Sequence, residues 1–452
     1  MADRGLAAMA QRLLPRESSP GAVEAARLPR RRSALATAGH LVGAQLVVGA
    51  ASLAVNAMAA RTMGPSGRGN LALLLQITYL TTMIAMAGTD RSYPASVPHQ
   101  PSARRAAADT LRLVVPSAAV GLVAAAPVVT AIGGRSNNAV LTVAGFAVTV
   151  CALVTALALR TAAAAGGVVR PYVLATILGQ LALVASAAVL TATGVTSSDV
   201  WLLVYGVAVG TGPLVAWVLL RRTGNQRSEI THSLAPARRL GLRLLPAAVA
   251  SMVMLRADRL LLPWLGSYEQ LGLYITVATV AELVCWPVQS YVDAHAPRWH
   301  QRLLAGDLRP GGPLLAAAGY GAGAGLALVV AGHLLVVPVF GPEYRESIPL
   351  LAPLAVGAAC YSVSRVAVGL NVAAGRARGA IAADLPGMVV ALAAYLVLIP
   401  RYGAAGAAVG SAVAYGVGVL IAVPLCLKAA APVPAPVPPL EATLTRKATS
   451  WT

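Results

Sequence analysis

Apolar stretches of about 20 residues, long enough to cross a bilayer, recur along this chain and are separated by short segments rich in Arg, Pro or Gly. Twelve can be delimited: 34–60, 71–97, 110–132, 139–159, 171–193, 200–220, 244–265, 271–297, 313–340, 347–374, 380–399 and 404–427. The pattern predicts an all-α, polytopic membrane protein with twelve transmembrane helices and little chain left for a soluble domain. Composition agrees: the 452 residues are 57% hydrophobic and 11% charged, with a mean hydropathy of +0.71, outside the range of ordinary soluble domains.

The chain is also written twice. At an offset of 203, Gly69, Asp90 and Pro94 fall on Gly272, Asp293 and Pro297; at 202, Asn56 falls on Asp258 and Gly64 on Gly266. Further on, an offset of 209 aligns "CALVTALALRTAAAAG" (151–166) with "CYSVSRVAVGLNVAAG" (360–375), and Gly194 with Gly403. Asp, Pro and Cys are rare in this chain, so their pairing favours true repetition. Each half holds an even number of crossings, so both begin on the same side, and a pseudo-twofold axis is expected along the membrane normal. The expected organisation is a basic N-terminal arm (1–33), an N-lobe of six helices (34–220), a basic linker (221–243), a C-lobe of six helices (244–427) and a Pro-rich tail (428–452).

The net charge of +19 does not indicate nucleic acid, because the positive residues lie in alternate connections and not on one patch. Of 35 Lys and Arg, 26 fall in the arm, the even-numbered connections and the tail. Five fall in odd-numbered connections (Arg61, Arg68, Arg135, Arg345, Arg401) and four inside spans (Arg91, Arg256, Arg259, Arg365). By the positive-inside rule both termini are cytoplasmic, in a multi-pass protein of the cell membrane. All four cysteines lie within spans, which gives no disulfide framework. Neither lysine, Lys428 or Lys447, follows Gly, so there is no phosphate-binding loop. No Cys-x-x-Cys or His-Glu-x-x-His occurs, and no large extramembrane segment is left to hold an active site. An enzyme is not expected, nor is a cofactor.

Four stretches resemble the polysaccharide-repeat-unit flippases (Wzx type) of the multidrug/oligosaccharidyl-lipid/polysaccharide exporter superfamily: "ARTMGPSGRGNLALLL" (60–75), "LRADRLLLPWLGSYEQLGLYITV" (255–277), "FGPEYRESIPLLAPL" (340–354) and "IPRYGAAGAAVGSAVAY" (399–415). Each has a glycine-centred turn between apolar helices. The resemblance implies two six-helix bundles in a V, MATE-like, around a cavity lined by the first, second, seventh and eighth helices. It implies alternating access that moves polyprenyl-diphosphate-linked glycans from the cytoplasmic to the outer leaflet for surface polysaccharide biosynthesis. The partners implied are the bilayer, that lipid-linked oligosaccharide, and a polysaccharide polymerase or glycosyltransferases. Rival readings are a cation-coupled multidrug exporter, a lipid II flippase, and a non-transporting scaffold of a polysaccharide assembly complex.

The charges inside spans carry the site expectation. Three in the seventh span, Arg256, Asp258 and Arg259, cost roughly 8–10 kcal/mol at mid-bilayer against roughly 2–4 kcal/mol returned by the leucines, so they should face protein or water. Arg256 and Arg259 are three apart on one helical face, and guanidinium forks suit the oxygens of a diphosphate. Arg259 also lies about 10 Å from the helix end at Gly266, within reach of the outer headgroups. Glu282 has two readings, an ion-coupling carboxylate or a static partner for Arg256. Arg365 and Asn56 complete the candidate substrate-binding set. Asp90 and Asp293, with Arg91, are candidates for an inner gate; they are equally readable as helix-end residues beside proline kinks.

Overall fold

The computed structural model describes residues 20–429 apart from 97–101, 134–137, 167–169, 223–232, 306 and 375–376, and leaves aside some side chains within helices, among them those of 20–46, Arg91 and Asp293. The arm before residue 20, residues 223–232 of the basic linker and the tail after 429 therefore lie outside the described residues. Among the described residues the chain is entirely helical: α1 (Pro20–Met86), α2 (Thr89–Ser96), α3 (Ala103–Gly133), α4 (Ala139–Ala165), α5 (Arg170–Ala192), α6 (Ser198–Arg222), α7 (Ala235–Leu265), α8 (Tyr268–Leu304), α9 (Gly311–Phe340), a 3-10 turn (Pro342–Leu350), α10 (Leu351–Ala373) and α11 (Ala377–Ala429). An all-helical fold is what lipid demands, because helices satisfy their backbone hydrogen bonds internally.

Nine of these stretches are long and apolar enough to cross a membrane. Two of the nine bend sharply and make two passes each. The backbone leaves helical geometry at Gly64 (φ 65°, ψ −179°) within α1 and at Gly403 (φ 55°, ψ −127°) within α11. Counting α7 as well, some of whose side chains lie outside the described residues, gives the expected twelve passes.

Burial sorts the passes into centre and rim. In their most apolar windows 61% of Val47–Met86 and 56% of Tyr268–Ala296 is buried, against 17% of Ala103–Gly133 and 22% of Gly311–Phe340. The second and eighth passes are thus central, and α3 and α9 present Val120, Val123, Leu315 and Leu326 outward, as a lipid-facing surface should. The periphery repeats across the halves, α3 against α9. So does local backbone: Gly194 (φ 67°) and Gly403 (φ 55°), 209 residues apart, share a positive φ.

The halves meet most closely at the Gly64 end. A Cβ on Gly69 would overlap the backbone carbonyl of Tyr268, and a Cβ on Gly272 would overlap that of Pro65. All four positions obey the same offset of 203, so one repeated contact is made twice about the pseudo-twofold. Three further hydrogen bonds tie the halves here. The Arg61 guanidinium donates from Nε to the Val339 carbonyl (2.8 Å) and from Nη2 to that of Pro338, and the Tyr344 hydroxyl donates to the Ala60 carbonyl (3.3 Å). Val339 and Pro338 lie in the last turn of α9, where carbonyls have no intrahelical partner, so Arg61 serves as a helix cap supplied by the other half. Arg61 stays exposed at this end while it does so.

At the opposite end the repeats diverge. The second pass breaks after Met86 and resumes as the short α2, whereas α8 continues unbroken through Pro297 to Leu304. Gly88 takes φ 69° at the break; its counterpart by the same offset is Tyr291, which carries a Cβ that disfavours this conformation.

Candidate central cavity

Restarting the helix directly after the bend at Gly64 is what brings Arg68 inside. The residue stands four positions into the new helical run, buried at 7% exposure, and its equivalent by the repeat, Leu271, is fully buried three residues after α8 begins. Sequence reading places Arg68 in an outer connection; packing of α1 against α8 overrules that. From the other half α7 brings Arg256, Asp258 and Arg259, and α8 brings Tyr274 and Glu282.

These side chains border two cavities that share a wall. One, of about 180 Å³, lies between the halves and is lined by Asn56, Arg68, Gln76, Tyr79, Tyr205 and Trp286 together with Arg256, Arg259 and Glu282. The other, of about 100 Å³, lies within the second half, among Asp258, Tyr274, Tyr361, Ser411 and Tyr415, and is bordered by the same Arg256, Arg259 and Glu282.

The charge arrangement on that wall is specific. A single carboxylate oxygen, Glu282 Oε1, receives both Arg256 Nη1 (3.0 Å) and Arg259 Nη2 (2.5 Å). Arg68 donates from Nε to Asn56 Oδ1 (2.7 Å). Asp258 is engaged elsewhere: Oδ2 accepts from the Tyr274 hydroxyl (2.5 Å) and Oδ1 from the Arg259 backbone N–H (2.8 Å). The network continues through Ser411, whose Oγ lies 3.4 Å from the Tyr274 oxygen and 2.9 Å from that of Tyr395. Donors outnumber acceptors. Arg68 Nη1, Arg256 Nε and Arg259 Nε are buried without a protein acceptor, while three guanidiniums face two carboxylates. In a setting of low dielectric such unmet donors are costly, and an anion with several oxygens relieves them.

The sequence candidates fall as follows. Arg256, Arg259, Glu282 and Asn56 line the cavity between the halves, and Asp258 lines its neighbour. Arg259, at 3% exposure, is held by Glu282 and does not extend toward headgroups as its distance from Gly266 allows. Arg365 does not reach either cavity wall: it pairs with Asp384 (3.5 Å) and lies 5.3 Å over the Tyr361 ring, and it is Tyr361 that faces the cavity. Asp90 is exposed in the first turn of α2; the side chains of Arg91 and Asp293 lie outside the described residues. Arg68, Gln76, Tyr274, Tyr395 and Ser411 are additions. Among the described residues no group of three His, Cys, Asp or Glu side chains is placed to hold a metal ion, and the cysteines are free.

No protein-family model and no curated protein matches the sequence. Solved structures do. An inward-facing multidrug resistance MATE family transporter of the MOP superfamily is similar over 85% of this chain and 94% of its own, with a TM-score of 0.68 at 13% identity. The fold is that of the MATE transporters. The lipid II flippase MurJ, in an inward closed conformation, is similar over 88% of this chain and 90% of its own, with a TM-score of 0.64 at 10% identity. An outward-facing MATE family transporter has a TM-score of 0.55 at 13% identity, covering 87% and 95%. The MATE-like fold accounts for the paired halves and for the central position of the cavity between them, but at such identities it says nothing about cargo.

Proposed function

We propose that the protein is a membrane transporter of lipid-linked anions, taking the diphosphate–sugar head of a polyprenyl-linked glycan into the central cavity and passing it to the outer leaflet for surface polysaccharide assembly. The observation that carries this reading is the convergence of Arg68, Arg256 and Arg259 on one cavity, with one buried nitrogen of each lacking a protein acceptor. Diphosphate oxygens answer both the charge and the donor surplus. The arginine bias puts the termini in the cytoplasm and the Gly64 end outside. The tight contact at that end then closes the cavity outward, while at the other end Gly88 of the first half and Gly241 of α7 also approach backbone to backbone, so each end has a contact that must open in turn. Rocking of the two lobes (34–220 and 244–427) exchanges that closure for one at the cytoplasmic side, while the polyprenyl tail stays in lipid.

The test is leaflet exchange in proteoliposomes. A fluorescent polyprenyl-diphosphate oligosaccharide should become accessible to an impermeant quencher faster with the protein than without. Arg256→Ala/Arg259→Ala should lower the protein-dependent rate about tenfold or more, since each lost charge-assisted contact is worth about 1.5–3 kcal/mol, while the variant still purifies as a folded species. Export of a cationic dye with no movement of the glycan would replace this reading by the drug-exporter one. A chain that moves neither is a scaffold, and preference for lipid II would fix the glycan as a peptidoglycan precursor.

A further inference from the structure

Within the cavity, one carboxylate occupies the position that an incoming anion needs. Glu282 Oε1 alone holds Arg256 (3.0 Å) and Arg259 (2.5 Å), and these are two of the three guanidiniums that border the space between the halves. Arg259 is 3% exposed and Arg256 half-buried, so neither is free to turn away and bind an anion elsewhere. The Glu282 side chain itself retains 21% exposure and lines both cavities. It sits in α8, a helix distinct from the α7 that carries both arginines. The carboxylate can therefore leave them without moving the helix on which they are mounted.

We propose that Glu282 is an internal stand-in for the cargo anion, which competes with it for Arg256 and Arg259 and returns to expel it. This rests on the anionic-head reading above and adds a residue role to it. A cavity with three unopposed arginines would bind a diphosphate tightly and hold it. Binding energy that is equal at loading and release lowers the concentration needed for capture without raising turnover. A tethered carboxylate resolves the conflict. It presents one negative group at high effective concentration beside the two guanidiniums, so the diphosphate displaces it through its greater charge and number of oxygens, yet dissociates readily once the cavity opens. Arg68, paired with neutral Asn56 and not with Glu282, supplies the portion of the attraction that the carboxylate does not cancel.

The consequence runs against the usual effect of removing a charged residue from a binding site. Pyrophosphate binding to the full chain in detergent, measured by titration calorimetry, should be about tenfold or more tighter for Glu282→Gln than for the parent, as expected when a charge-assisted competitor is removed. Glu282→Asp, which keeps the charge on a shorter arm, should give a smaller gain in the same direction, and provides the comparison if the Gln variant fails to fold. In proteoliposomes carrying the fluorescent polyprenyl-diphosphate oligosaccharide, both variants should lower KM and maximal rate together, the signature of slowed release. A parent that binds pyrophosphate and variants that bind it equally or more weakly would overturn the stand-in role and leave the anionic-cargo reading intact. Absence of pyrophosphate binding in the parent and in both variants alike would overturn both.

Discussion

Substituting Gly69 and Gly272 together by Ala is expected to open the Gly64 end and halt transport while the protein remains folded. The added methyl at each position would overlap a backbone carbonyl of the opposite half, Tyr268 for Gly69 and Pro65 for Gly272, and a carbonyl in a helical turn cannot move aside as a side-chain rotamer can. Overpacking costs about 1–3 kcal/mol per site. Both substitutions strain the same closed state and neither disturbs the separate halves, so the ratio of closed to open at this end should fall about 30-fold or more. The measurement is a distance between spin labels on Thr193→Cys and Arg345→Cys, two exposed positions at this end in opposite halves, in a background lacking the native cysteines. The parent should give a short, narrow distribution and the double variant a longer one. Each single variant should fall between them, because the contact is made twice. An unchanged distribution in the double variant would show that the two turns separate freely and that closure is maintained elsewhere, at Arg61 and Tyr344.

The amino-acid sequence already carries that contact, as an offset of 203 that pairs two glycines, although only the fold reveals that each presses on the other's turn. Apolar length and the alternation of arginine-rich connections likewise suffice to predict twelve passes. What hydropathy does not deliver is Arg68. Window averages place it in a polar connection, because "GPSGRGN" reads as a turn, whereas the backbone bends at Gly64 alone and is helical again immediately. The repeat holds the missing signal: Arg68 aligns with Leu271, a core position of α8, and a charge standing where the sister half buries leucine is a site candidate. Arg259 illustrates a different limit. Its rise from the helix end is correctly read at about 10 Å, but which of two fates it meets depends on Glu282, 23 residues away on another helix. Tyr274, Tyr395 and Ser411 carry no charge and assemble from α8 and α11, so no local pattern marks them.

Asp258 stands where the first half carries the neutral Asn56, and its removal should be the costliest single change in the cavity wall. Both of its oxygens are engaged, by the Tyr274 hydroxyl and the Arg259 backbone N–H, and the side chain is 5% exposed. Asp258→Ala leaves the Tyr274 oxygen with only a 3.4 Å neighbour in Ser411 and deprives the cluster of one of two negative charges against three arginines. Taking away one member of a buried charged cluster costs about 3–5 kcal/mol, because the desolvated partners stay behind. Asp258→Asn keeps an acceptor for the tyrosine and nearly the same volume, and reproduces the Asn56 of the first half, which accepts from Arg68 in its own setting. Its cost should be about 1–2 kcal/mol, the difference between a charged and a neutral acceptor. Equilibrium unfolding in mixed micelles of increasing dodecyl sulfate would measure both. If Ala and Asn at 258 prove equally stable, the hydrogen bond from Tyr274 does not matter and Asp258 contributes charge alone; the lost charge would then be expected to appear as tighter pyrophosphate binding in both variants. If the Ala variant is far the weaker, Asp258 is the anchor that fixes α7 against α8, and the arginines are held at the cavity by a carboxylate that the cargo never meets.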